Sequence, residues 1–268
     1  MKLAWLTDIH LNFLSPEERN DFYRELLLNN FDAALITGDI AEAPSIIPIL
    51  EEMVSVLKKK IYFVLGNHDF YKGKIDHVRD RIIASMRQNP LLQGLAYCGP
   101  VYLNEDVILM GQDAWADGRY GDYVQSNVVL NDCRMINDLL QANHLGKMSL
   151  LDKMQSLADE DAKKLAANLS EVLLKHPKKI IILLHVPPFK ENCLYEGKIS
   201  SDDYLPFFSS KVMGDLLLKT AKEHKDVNFW VLCGHVHSES IYRPLSNLFV
   251  ESGKAEYSNP EVQRIIEI

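Results

Sequence analysis

Asp8-Ile9-His10, Gly38-Asp39, Gly66-Asn67-His68-Asp69, His185 and Gly234-His235-Val236-His237 place carboxylates, imidazoles and one amide in five small groups along the chain. Together they make a mixed oxygen and nitrogen donor set. Such a set suits Mn, Fe, Zn or Co, and suits neither soft copper nor all-oxygen calcium. Taken singly, each group is weak. An Asp-x-His triplet is a common accident, and Gly-Asp after an apolar run is an ordinary turn. A single histidine in such a place is more often a satisfied core or surface group. Gly-His-x-His says more, because alternate residues project to one side. The joint pattern carries the weight, since five of the nine histidines fall at equivalent places.

Those places are the ends of short apolar runs. Leu3–Leu6, Ala33–Ile36, Ile61–Leu65, Ile180–Leu184 and Phe229–Leu232 each run directly into one of the groups, and Val107–Met110 is a sixth run of the same kind. They are too short for helices and rich in β-branched and aromatic residues, which predicts buried strands. They do not alternate with polar residues, so both faces of the sheet must be covered. Helical patterns fall between them. Ser15-Pro16-Glu17-Glu18 reads as a capping box with proline at the first helical position, opening a helix to about Asn29. Further helices are expected over Ser45 to Lys59, Ile75 to Gln88, Asp152 to Lys175 and Val212 to His224. Strand–helix–strand order predicts an α/β sandwich. In open α/β sheets ligands bind beyond the carboxyl ends of the strands, where these groups lie. Residues 113–151 fit the alternation poorly and read as an insertion in one domain covering 1–268.

The bulk numbers bound the reading. Lys and Arg total 29 against 37 Asp and Glu, a net charge of −8. That balance argues against a long nucleic-acid partner, which needs a positive surplus. The four cysteines, Cys98, Cys133, Cys193 and Cys233, show no CxxC pair. This argues against a zinc knuckle or a disulfide framework, and for a reducing compartment. The opening MKLAWLTDIH has too short an apolar core for a secretion signal. No run approaches the ~18 apolar residues of a membrane span. A soluble, cytoplasmic protein without membrane contact is expected.

The ordered set Asp-x-His, Gly-Asp, Gly-Asn-His-Asp, His and Gly-His-x-His resembles the calcineurin-like metallophosphoesterases, over roughly residues 3–110 and 180–250. The resemblance implies a four-layer α/β/β/α sandwich of two mixed sheets flanked by helices, with two divalent ions (Mn, Fe, Zn or Co) between the strand ends. By the same resemblance Asp39 bridges the ions, Asp8, His10 and His237 complete one site, and Asn67, His185 and His235 complete the other. Two cations ~3.5–4 Å apart clamp the attacking and leaving oxygens of an in-line displacement. A hydroxide bridging them would attack the phosphorus of a monoester or diester directly. His68 is implied to face the substrate as acid or charge stabiliser, oriented by Glu42 where relatives often carry Asp. Asp69 is the other candidate for that orienting role. The plain alternative for Glu42 is a helix-start carboxylate favoured by the dipole.

Other candidates lie outside the motifs. Arg119, in the loop following Val107–Met110, could fork onto phosphate oxygens as a substrate ligand. Trp115 or Tyr120 could stack on a base or aryl group, and His144 could reach the site from the insertion. His77, His176 and His224 read as solvated. The Tyr204–Phe208 loop is a candidate lid. A small phosphorylated substrate is the expected partner. The alternatives are a non-catalytic scaffold of the same fold, or a nuclease. A protein phosphatase of the calcineurin type is disfavoured, because no arginine follows Glu42 as that signature requires.

Overall fold

The computed structural model describes residues 1–268. Its first sheet sets β1 (Lys2–Leu6), β2 (Ala33–Thr37), β3 (Lys60–Val64) and β4 (Leu92–Gly94) parallel, in that order. A last strand, β13 (Arg264–Glu267), pairs antiparallel with β1. The second sheet is built from β5 (Val101–Tyr102), β6 (Val107–Gly111), β7 (Lys179–Leu183), β10 (Asn228–Cys233), β11 (Ser240–Leu245) and β12 (Leu248–Ser252). Its order is β11-β12-β10-β7-β6-β5, parallel in the centre and antiparallel at both edges. A separate hairpin joins β8 (Leu194–Tyr195) to β9 (Lys198–Ile199).

The pleat sorts each strand's side chains between two cores. Leu3, Trp5, Leu35 and Val64 of the first sheet meet Leu109, Ile181, Leu183 and Leu232 of the second. The alternate residues Ala4, Leu6, Ile36 and Phe63 face α1 (Pro16–Leu28), α2 (Ile46–Leu57) and α3 (Ile75–Gln88). Across the second sheet, Ile108, Ile180, Ile182 and Val231 face two more helices, α7 (Lys147–Leu173) and α9 (Lys211–Glu223). The result is helices, sheet, sheet, helices. It is the four-layer sandwich, and it explains why the strands read as unbroken apolar runs. The short helices are α4 (Leu95–Cys98), α5 (Asp132–Met135), α6 (Asn137–His144) and α8 (Leu205–Phe208).

The Ser15 capping box forms as read: Ser15 Oγ accepts from Glu18 N–H, and Glu18 Oε2 accepts from Ser15 N–H. The long helix α7 starts earlier than predicted, at Lys147, inside the stretch assigned to the insertion. The remainder of that stretch does not float. Lys72 N–H donates to Met135 O at 2.7 Å and Asn137 N–H donates to Gly73 O at 3.0 Å, so α5 is stitched to the loop after β3. No helix is long and apolar enough to cross a membrane.

Candidate metal centre

β1, β2 and β3 deliver Asp8, His10, Asp39, Asn67 and His68 from one sheet, and β7 and β10 deliver His185, His235 and His237 from the other. The loops are tied to one another by backbone bonds. Asp8 N–H donates to Gly38 O (3.1 Å), His10 N–H to Asp39 O (3.0 Å) and Gly234 N–H to His185 O (3.0 Å). Asp69, fully buried, accepts from the backbone N–H of Gly66, Ile40 and Ala41 and so clamps two of the loops together.

The chain turns sharply at the donors themselves. Asp8, His10, Asp39, His235 and His237 all take positive φ, between 39° and 70°. Non-glycine residues rarely adopt that region, and clusters of them mark sites where the surroundings impose it. The glycines serve a different need than turning alone. Of the three that precede donors, only Gly38 has positive φ. A Cβ on Gly66 would collide with Asp39 Oδ1, and one on Gly234 with Thr7 Oγ1 and Asp8 Oδ2. Both glycines are there for close approach.

Two sets of donor atoms result. Asp8, His10, Asp39 and His237 bring one atom each within 4.8 Å of one another. His10 Nε2 lies 3.3 Å from His237 Nε2 and 3.8 Å from Asp39 Oδ2, while His237 Nε2 lies 3.5 Å from Asp8 Oδ1. The second set centres on Asn67 Oδ1, with His185 Nε2 at 2.8 Å and His235 Nδ1 at 2.9 Å. Asp39 touches both sets, since its Oδ1 is 3.4 Å from His185 Nε2.

The chemistry of the second set tests whether a cation fits. His185 Nδ1 lies 2.8 Å from the Thr37 carbonyl, and His235 Nε2 lies 3.0 Å from the Phe207 carbonyl. A carbonyl can only accept, so these nitrogens carry the protons, and the other nitrogen of each neutral ring presents a lone pair. Asn67 Nδ2 donates to Asp132 Oδ1 at 2.8 Å, which turns Asn67 Oδ1 toward the two rings. Three lone pairs and a carboxylate oxygen therefore converge with no proton among them. A divalent cation satisfies that arrangement, and carbonyl-bonded imidazoles are the usual support of metal-ligating histidine.

Burial sets the protonation pattern. It holds His10 down to about 3, and His68, His185 and His235 down to about 4, so these rings are neutral. Burial, reinforced by Asp8 and Asp69, pushes Asp39 well above the usual carboxylate range. Burial also works to raise Asp8, but the His237 hydrogen bond and the neighbouring imidazoles outweigh it, and Asp8 lies below that range. Two close buried carboxylates split in this way when no counter-charge is near.

His68 lies where the cleft begins. Its ring stacks on Tyr71 at 4.1 Å and its Nε2 is 3.9 Å from Asp39 Oδ2. The structure brings neither candidate orienter to that ring. Glu42 is engaged by Lys72, and Asp69 is committed to backbone amides. Arg119 is likewise held elsewhere, by Asp117 and Asp159, and does not line the cleft. Trp115 is buried against Phe70, and Tyr120 lies beside Lys211. His77, His144 and His176 are exposed and His224 is half-buried.

Three cleft residues that contact the donors, Tyr71, Asp132 and Tyr257, have no counterpart among the sequence candidates. Asp132 accepts from Tyr71 Oη (2.6 Å) as well as from Asn67. Tyr257, half-exposed, sets its ring 4.6 Å from His10 and 5.1 Å from His237. The cleft they help to line encloses about 330 Å³ and contains no lysine or arginine. Only Tyr71 had a local signal, its position directly after the Asn67–Phe70 turn. Asp132 and Tyr257 arrive through tertiary contacts.

This two-sheet α/β sandwich gathers carboxylate, amide and imidazole donors at its strand ends, in a cluster that could hold a metal ion. The family model for calcineurin-like phosphoesterases matches residues 1–239, and the chain belongs to that family. Among solved structures it is similar to a dimetal phosphatase from Danio rerio, at 13% identity over 95% of this chain and 87% of that one, with a TM-score of 0.59. It is also similar to the phosphopantetheinyl hydrolase of Mycobacterium tuberculosis, at 13% identity over 96% and 89%, with a TM-score of 0.60. At that identity the likeness is one of fold. Comparison with curated proteins gives no match.

Proposed function

We propose that this protein is a metal-dependent phosphoesterase that hydrolyses a small phosphate monoester or diester, with two divalent ions held by Asp8, His10, Asp39, His237 and by Asp39, Asn67, His185, His235. The observation that carries the reading is the convergence of carboxylate, amide and imidazole atoms in two sets that share Asp39. Bound there, two cations would supply Lewis acidity to the phosphoryl oxygens and bring water toward ionisation near neutral pH.

The chain's own residues supply the rest. Asp39 offers one oxygen to each set and offsets the repulsion of two like charges. Thr7 Oγ1–H and His235 N–H donate to Asp8 and fix its carboxylate plane. His68, neutral and stacked on Tyr71, faces the cleft, where its ring N–H can donate a hydrogen bond to a phosphoryl oxygen or to the leaving oxygen. With no lysine or arginine lining the cleft, the counter-charge for the substrate would come from the cations. The same lack of a basic track supports a compact substrate over long nucleic acid. Four unpaired thiols support a reducing, cytoplasmic setting.

Asp39→Asn tests the proposal. With Mn²⁺ supplied, the natural protein should turn over aryl phosphate or bis-aryl phosphate, and the variant should lose this by at least ~10³-fold, because both sets lose their shared anion. Full activity in the variant would defeat the two-ion reading. A natural protein that binds metal but is inert across ester types would favour a scaffold.

A further inference from the structure

The cleft is open on the side of His235. Phe208 and Val236 line it, and the same two residues line an adjoining groove of about 600 Å³. Leu194, Tyr195, Ile199 and Tyr204, from the β8–β9 hairpin and the lead into α8, make the rest of the apolar wall. Tyr195, Ile199 and Tyr204 are 69%, 46% and 47% exposed. Large apolar side chains left in water singly need no explanation, but three on one concave wall mark a binding surface. The rings form a continuous path from the metal donors. Phe208 lies 5.3 Å from the His235 ring, and Tyr204 stacks on Phe208 at 6.1 Å and 27°.

Size and chemistry define what fits. A phosphoryl group with its immediate oxygens occupies only the cleft. The groove is as large as a site for a whole organic ligand. Its only charged lining residues are Glu196 and Lys198, of opposite sign, so it is not a second phosphate pocket. We infer that this groove is the subsite for the organic part of the substrate, and that the ester carries a bulky, mainly apolar, ring-containing group. The inference rests on the phosphoesterase reading of the adjoining cleft, with which the groove is continuous through Phe208 and Val236. The segment Leu194–Phe208 is thus the wall that selects substrate.

Uncleavable phosphonates separate this inference from the activity itself. Calorimetric titration of the Mn²⁺-loaded protein would compare methylphosphonate with 2-naphthylmethylphosphonate. Burial of the ring system in the groove should make the second bind on the order of tenfold tighter or more. In Tyr195→Ser/Tyr204→Ser, two exposed positions, the ratio of affinities should fall about fivefold. Equal affinity of the two compounds for the natural protein would overturn the inference alone, as would an undiminished ratio in the variant. Failure of both phosphonates to bind would overturn the phosphoesterase reading, and the inference with it.

Discussion

Removing the Asp132 carboxylate should weaken one half of the centre and spare the other. Asp132 Oδ1 accepts from Asn67 Nδ2 at 2.8 Å and from Tyr71 Oη at 2.6 Å. That bond is what keeps Asn67 Oδ1 pointed at His185 Nε2 and His235 Nδ1. In Asp132→Ala the amide is free to flip, and its N–H groups can then donate to the two imidazole lone pairs. The ligating orientation loses a hydrogen bond to a charged group, worth roughly 1.5–3 kcal/mol, and the flipped one gains a neutral bond of about 1 kcal/mol. Some of this is offset by water reaching the vacated carboxylate position. A net bias of about 2 kcal/mol corresponds to roughly 30-fold weaker cation binding at the Asn67 set, within the range found for loss of residues supporting metal ligands. Binding at the Asp8, His10 and His237 set should change less than about threefold, since Asp132 touches none of them. The assay is Mn²⁺ titration by calorimetry and by electron paramagnetic resonance, which resolves two classes of site. Asp132→Asn, whose amide oxygen can still accept from Asn67, should lie between the two. Equal weakening of both classes, or none in either, would refute the argument that Asp132 acts by orienting Asn67.

Further outcomes follow from the same geometry. His68→Gln should lower kcat by about 10²–10⁴ while Mn²⁺ affinity holds within a few-fold; a parallel loss of metal would make His68 a ligand instead. Asp39 titrates well above the usual carboxylate range when no cation is near. Below that raised value it carries a proton that metal must displace, so affinity should rise with pH toward that value and flatten beyond it. Titration in buffers of different ionisation enthalpy should count a proton released on metal binding on the acid side of that raised value, and binding without proton release at any pH would contradict this. Arg119→Ala should leave turnover of a small aryl phosphate within about twofold but lower Tm by ~2–4 °C, because it strips a partner from the fully buried Asp117. A tenfold fall in kcat/KM without a change in Tm would return Arg119 to the substrate.

What the sequence made legible was whatever repeats a local pattern. Most central strands of the two sheets are apolar on both faces, so β1, β2, β3, β6, β7 and β10 could be read directly, each within a residue or two of its ends; the interior strand β12, which ends in Glu251 and Ser252, could not. The edge strands could not. β11 is Ser-Ile-Tyr-Arg-Pro-Leu, mostly exposed or half-buried, and β13 is four residues with a single buried Ile266. Their pairing comes from the partner strand, which leaves little local trace. The donors were legible for a related reason. They follow the legible strands within a few residues, and the fold sends all such ends to one side. Glu42 shows the limit. Its place three residues after Asp39 suggested a role at His68, but Lys72, an exposed neighbour on another loop, takes its carboxylate. Asp132 is the converse, with no motif around it and a position that depends on the stitching of α5 to residues 72 and 73.

The fold neutralises its buried acids in two ways, and the contrast bears on function. Asp113, after β6, and Asp161, on α7, are each almost wholly buried, and Arg79 of α3 reaches both, at 3.6 and 3.5 Å. Tyr97 Oη donates to Asp113 and the Ala114 N–H donates to Asp161, so both acids have partners within the protein. Asp8 and Asp39 are equally buried, yet no lysine or arginine approaches them. A chain that can place an arginine between two interior carboxylates a short distance away has instead surrounded this pair with imidazoles held neutral by burial. Neutral imidazole contributes nothing to balancing the charge, and everything to ligating a cation. Seen this way, the net charge of −8 is no obstacle to phosphate chemistry. The acids that matter are inside the cleft, where on the proposed reading they would recruit positive charge that the surface composition does not record.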